Sequence, residues 1–88
     1  MKLVFSSDAW DDYQYWLKED LKLFVRLNAL IEETRRNPFK GTGKPEPLKH
    51  EFKGYWSRRI NQEHRLVYRV EGSAAEQRLE IIQCRFHT

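Results

Sequence analysis

Glu46, Arg59, Arg65 and His87 are the residues of this 88-residue chain whose types together suit one reaction, cleavage of an RNA phosphodiester without a metal. RNA carries its own nucleophile, the 2′-hydroxyl. A protein need only remove that proton, stabilise the charge on the crowded phosphorane and protonate the leaving 5′-oxygen. Glu46 stands between Pro45 and Pro47. The first proline has a fixed φ and the second drives its predecessor to extended geometry, so a stiff loop is expected to present the carboxylate as base. Arg59 and Arg65 flank a predicted tight turn between two strands and can face one groove, where guanidinium forks match phosphate oxygens. His87 is expected on the same face as the proton donor.

Other chemistries fit the residues poorly. His50, His64 and His87 have no ligand spacing and no accompanying carboxylate cluster, so neither a metal nor any other cofactor is expected. Gly41-Thr42-Gly43-Lys44 is followed by Pro45 where a phosphate loop needs Ser or Thr, with no strand before it and no helix start after it. Ser57 lacks an elbow motif, and Cys84 falls on a predicted core face. His50 and His64 read as loop residues.

The charge is concentrated. Residues 41–69 hold Lys44, Lys49, Lys53, Arg58, Arg59, Arg65 and Arg69 against Glu46, Glu51 and Glu63, an excess larger than the formal +3 of the whole chain. With Tyr55, Trp56 and Tyr68 interleaved, this stretch is suited to a polyanion with stackable bases. Lys44, Lys49, Arg58, Arg59 and Arg85 are the candidate substrate-binding cations. The competing reading is a basic module that binds without cutting. Length predicts one domain, residues 1–88, and 40% apolar with 14% aromatic residues predicts that it folds. A single cysteine forms no internal disulfide, and no signal peptide or run of eighteen apolar residues is visible, so a soluble cytoplasmic protein is expected, with no membrane partner.

The elements that must position these residues follow from periodicity. Lys2 to Phe5 reads as a strand. Ser7 is expected to cap a helix bearing Asp8, Asp11 and Asp12 in its first turns, with Ala9, Tyr13, Trp16 and Leu17 on one face. Glu19-Asp20 offers a break and a second cap. Leu23, Phe24, Leu27, Leu30 and Ile31 then mark a second amphipathic helix that Pro38 ends. Beyond it the period becomes two, predicting strands over 55–60, 66–70 and 79–86. Alternation assigns Leu66, Tyr68, Val70, Ile82, Cys84 and Phe86 to the core, with Trp56 inside as well. It leaves Tyr55, Ser57, Arg59, Arg65, Val67, Arg69, Gln83, Arg85 and His87 on the opposite face. The predicted class is α+β, in the order β-α-α-β-β-β: two antiparallel helices on one face of an antiparallel sheet, with a cationic groove on the other.

Four segments carry a resemblance: Lys44-Pro45-Glu46-Pro47-Leu48-Lys49-His50, Trp56-Ser57-Arg58-Arg59-Ile60, Glu63-His64-Arg65-Leu66-Val67-Tyr68 and Cys84-Arg85-Phe86-His87. With Trp10-Asp11-Asp12-Tyr13 and Thr34-Arg35-Arg36-Asn37-Pro38-Phe39, the chain resembles the Txe/YoeB family of RelE-like toxins over essentially its whole length. The resemblance implies a RelE/ParE-like fold and a toxin of a bacterial type II toxin-antitoxin pair that cuts mRNA in the A site of the 70S ribosome. It implies a YefM/Phd-like acidic antitoxin as partner, operator DNA bound only through that complex, and a possible homodimer. By position it makes Glu46 the general base, Arg65 the phosphate-stabilising cation, His87 the general acid, and Lys49 and Arg59 supporting cations. Thr88 departs from the tyrosine that follows the histidine in the family, and the loop over 71–77 is longer than usual. A non-catalytic ParE-like inhibitor with this fold is the alternative.

Overall fold

The computed structural model of the protein describes residues 1–86; His87 and Thr88 lie outside the described residues. The order is β1 (Lys2–Phe5), α1 (Ser7–Glu19), α2 (Leu21–Arg36), β2 (Glu46–Pro47), a 3-10 turn (His50–Phe52), β3 (Trp56–Arg59), β4 (Arg65–Glu71) and β5 (Arg78–Gln83). Helix α1 begins one residue earlier than expected because Ser6, not Ser7, is the cap: its Oγ accepts from the Ala9 N–H at 3.1 Å. Asp20 caps α2 in the same way through Leu23 N–H, also at 3.1 Å. The helix stops at Arg36, before Pro38.

The strands form one sheet in the order β1-β5-β4-β3-β2. Three of its pairings are antiparallel, but β1 lies parallel to β5, with Lys2 opposite Arg78 and Phe5 opposite Ile81, so the sheet is mixed where an antiparallel one was expected. The two-residue β2 is also an addition, and it lifts Glu46 out of a loop and into the sheet edge. Pro47, which has no N–H to give to a ladder, is tolerated there because the edge needs none.

Helices pack on one face only. Trp16, Leu23, Leu27, Leu30 and Ile31 meet Leu66, Tyr68, Leu79, Ile81 and Cys84 in one core cluster. Complete burial of a Leu or Ile such as Leu27, Leu66, Leu79 or Ile81 contributes about 1.5–3 kcal/mol each. Alternation is obeyed on β3 and β4, and Trp56 packs inward against Phe39 at 4.8 Å. On β5 it is not. Leu79 and Ile81 face the core instead of Ile82, because Ile82 is the extra residue of a bulge between the pairs Val67–Gln83 and Tyr68–Ile81. Strand β5 then ends at Gln83, and Phe86, with φ of +64°, is 53% exposed where burial was expected. Among the described residues no helix is long and apolar enough to cross a membrane.

Candidate active site

Directly paired residues of neighbouring antiparallel strands point to the same face, so the register itself assembles the groove. Glu46 lies opposite Ser57, Ser57 opposite Val67, and Val67 opposite Gln83, forming one row across four strands on the face away from the helices. In the next row towards the β3–β4 turn, Arg59 lies opposite Arg65. Glu46, Lys44, Lys49 and Arg59 are exposed and Arg65 is half-buried.

The turn that carries the two arginines is built by Asn61. Its Oδ1 accepts from the N–H groups of Glu63 (2.8 Å) and His64 (2.7 Å), and Ile60 N–H donates to His64 carbonyl oxygen at 2.9 Å. Arg65 donates back into this turn through Nη1, to the carbonyl oxygens of Asn61 (2.9 Å), Gln62 (3.2 Å) and His64 (3.2 Å). One nitrogen anchors the guanidinium, and its other donors have no hydrogen bond among the described residues. Such a fork is oriented before any ligand arrives.

Charge along the groove is uneven. At the far end, Arg69 pairs with Glu80 at 2.7 Å and with Glu71 at 3.3 Å, and Arg78 pairs with Glu80 at 2.6 Å. The two hydrogen bonds hold the Glu80 carboxyl below its ordinary range, that from Arg78 most strongly. No carboxylate among the described residues pairs with Arg59 or Arg65. The uncompensated positive charge therefore sits beside Glu46. A cleft of about 890 Å³ lined by Lys2, Arg35, Arg36 and Arg78 lies at the opposite end of the sheet and holds none of the candidate residues. Within the groove row Ser57 and Val67 are buried, so the side chains it offers to a ligand are those of Glu46, Arg59 and Arg65.

Two candidate cations are not brought to it. Arg58 is completely buried on the helix side, because on a strand it has the parity of Trp56 and not that of Arg59. Its Nε donates to Tyr68 Oη at 3.1 Å, its Nη1 to Glu33 Oε2 at 2.9 Å and to Thr42 carbonyl oxygen at 3.1 Å, and its Nη2 to the carbonyl oxygens of Asn37 and of Lys40, the latter at 2.7 Å. Tyr68 Oη in turn donates to Pro38 carbonyl oxygen, and burial raises its phenol above the ordinary value. Arg58 thus fastens the connection over 37–43 to the sheet. Gly43 follows at φ of +85°, its carbonyl accepting from Arg59 N–H at 2.7 Å; a Cβ there would stand 2.8 Å from the Arg59 carbonyl oxygen. This connection leads directly into Glu46. Arg85 is displaced too. With β5 finished at Gln83, its guanidinium lies 3.5 Å from the ring centre of Tyr15 on α1.

His87 lies outside the described residues, but the segment leading to it is closely held. Asp12 Oδ2 accepts from Cys84 N–H at 3.1 Å and Trp16 Nε1 donates to Cys84 carbonyl oxygen at 2.8 Å. Burial pushes the Asp12 carboxyl up, opposed by that N–H and by Arg85. Arg65 N–H donates to Phe86 carbonyl oxygen at 2.9 Å, and Phe86 N–H donates to His64 Nδ1 at 2.7 Å. Sequence reasoning missed Asp12, Trp16 and His64 in this role. The spacing of Asp12, Tyr15 and Trp16 puts all three on one stretch of helix surface, but nothing in it names the chain they hold. Cys84 has its thiol pushed up to about 12 by burial and by nearby Asp12, which removes it as a nucleophile. Among the described residues no three His, Cys, Asp or Glu side chains come together as a metal site.

A small α+β domain with two helices on one face of a mixed sheet and a cationic groove on the other is the class this geometry defines. A profile described as the YoeB-like toxin of bacterial type II toxin-antitoxin systems matches residues 5–88. Toxin YoeB of Escherichia coli strain K12 is 53% identical over 87 residues, 99% of each chain. A YoeB/ParE toxin from Agrobacterium tumefaciens superposes with a TM-score of 0.95 at 57% identity over the whole of both chains. YoeB of Staphylococcus aureus, solved as a dimer and in a heterotetrameric YoeB-YefM complex, is 40% identical with a TM-score of 0.87, covering 100% of this chain and 98% of that one. The chain belongs to the YoeB-like family of type II toxin-antitoxin toxins.

Proposed function

We propose that the groove is the active site of a metal-independent endoribonuclease that cuts mRNA in the ribosomal A site. The observation that carries this reading is the register: it sets the Glu46 carboxylate one row from an opposed arginine pair that has no carboxylate partner among the described residues. Glu46 takes the proton of the 2′-hydroxyl. The 2′-oxygen attacks phosphorus, the P–O5′ bond breaks, and the products are a 2′,3′-cyclic phosphate and a 5′-hydroxyl. Arg65, held by its turn, and Arg59 opposite it carry the negative charge that develops on the non-bridging oxygens. His87 supplies the proton to the departing 5′-oxygen. Lys44 and Lys49, exposed on either side of Glu46, track the phosphate backbone.

Family membership supports a protein partner as well. A YefM-like antitoxin with an acidic segment would neutralise the Arg59–Arg65 end of the groove, and operator DNA would be reached only through that complex. A homodimer is the free state proposed, on the precedent of the Staphylococcus aureus relative.

Cleavage of mRNA on programmed ribosomes should be lost in Glu46→Ala, Arg65→Ala and His87→Ala while each variant still folds. Equal cutting by all three, or none by the wild type, refutes the assignment. In that event growth arrest persisting in Glu46→Ala would favour a non-catalytic toxin.

A further inference from the structure

We infer that His64 is a positioning residue: its imidazole holds the backbone of Phe86, the residue that precedes His87 in the chain, beside Arg65. The inference rests on the nuclease reading for the role of His87. The anchor itself rests on geometry alone. His64 is 7% exposed, although a turn residue of its kind would ordinarily be solvated. Its Nδ1 accepts from Phe86 N–H at 2.7 Å, so its ring proton is on Nε2, which faces Glu63 Oε1 at 3.8 Å. Trp16 meets the ring edge-on at 4.6 Å between centroids and Phe86 lies 5.7 Å away.

The reason an imidazole is needed is visible in the ladder. Beyond Gln83 the pairing of β5 with β4 has lapsed, and Arg65 N–H to Phe86 carbonyl oxygen at 2.9 Å continues it on one side only. A regular ladder would answer Phe86 N–H with a backbone carbonyl. Here the side chain of His64, the residue just before the start of β4, answers it, and Phe86 has a φ of +64°. The same two adjacent residues, His64 and Arg65, therefore grip both polar groups of Phe86, with Arg65 facing the groove and His64 the helix side. The last described residue is thus tied to the start of the strand that carries Arg65.

The test compares His64→Asn, His64→Gln and His64→Leu in the full chain. Asn places its carbonyl oxygen where Nδ1 stands, Gln places its own near Nε2, and Leu offers no acceptor. In single-turnover cleavage at saturating ribosomes, Leu and Gln should slow the reaction on the order of 10²-fold, as misplacement of a reacting group does, with little change in apparent ribosome affinity. Asn should recover most of the rate. Amide exchange of Phe86, read by NMR, should be protected in the wild type and Asn variant and fast in Leu and Gln. Protection of Phe86 in all four proteins overturns the anchor, and a folded Asn variant as slow as Leu overturns the positioning role. If the wild type does not cut RNA, the nuclease reading fails separately, and Phe86 exchange alone decides whether His64 is the anchor.

Discussion

Arg59 and Arg65 lie directly opposite each other across β3 and β4, with no carboxylate of the described residues paired to either guanidinium. Like charges in that relation destabilise a sheet, so the pair is retained against a cost that an anion between them would remove. Arg59→Gln should therefore leave the melting temperature unchanged or raise stability by about 0.2–1 kcal/mol while weakening RNA binding and flattening its salt dependence. Arg65→Gln should slow cleavage on the order of 10²–10³-fold, the effect of losing one donor to a developing anion. Thermal melts, oligonucleotide titrations at several salt concentrations and single-turnover rates check the set.

Arg58 is the opposite case, a cation whose work is internal. Arg58→Met should cost at least about 3 kcal/mol, because it removes five hydrogen bonds and leaves the carbonyls of Asn37, Lys40 and Thr42 without that donor. Arg58→Lys should rescue little, since one ammonium cannot span partners spread around a planar fork. Urea unfolding measures both. A near-neutral Arg58→Met would mean that the connection over 37–43 does not depend on this residue.

Acid should unfold the protein in a window set by Glu33 and Glu80. Glu33 has its carboxyl held below the ordinary 4.5 by the backbone N–H and hydroxyl of Thr42 and then by Arg58, and Glu80 by Arg78 and Arg69. With the folded value below the unfolded one, the unfolded chain takes up protons first as pH falls. The stability these groups contribute is complete above about 4.5 and is lost as pH drops through their lowered folded values. Asp12 works the other way: burial raises its carboxyl above 3.8, so its ionisation as pH rises weighs against the fold. Melting temperature against pH from 3 to 6 should fall towards acid in the wild type. In Glu33→Gln it should start lower and fall less steeply.

Much of this was legible in the sequence because it depends on local periodicity. The buried face of α2, the stops at Asp20 and Pro38, and the shared face of Arg59 and Arg65 follow from patterns within a few residues, whereas on α1 Leu17, expected beside Ala9, Tyr13 and Trp16, is 46% exposed. Arg58 was legible too: the parity that puts Trp56 inside puts Arg58 there, but charge suggested surface, and only a partner from α2 and three carbonyls from a distant loop make burial tolerable. Ile82 and Phe86 were misplaced because Ile82 is itself the extra residue of a bulge in β5, and that bulge and the early end of the strand reset an alternation that sequence can only extrapolate. The parallel pairing of β1 with β5, the strand at Glu46 and the grip of His64 on Phe86 are contacts between residues far apart in the chain. No spacing encodes them.

The central claim is that the groove directs the RNA's own hydroxyl at its phosphate. Its most direct test is single-turnover cleavage by the wild type of ribosome-bound mRNA carrying 2′-deoxy at the scissile nucleotide, beside the all-ribose message, with the product ends identified. The account predicts a 2′,3′-cyclic phosphate and a 5′-hydroxyl from the ribose message and no cutting of the deoxy one. Cutting of the deoxy message, or a 5′-phosphate on the product, would contradict it.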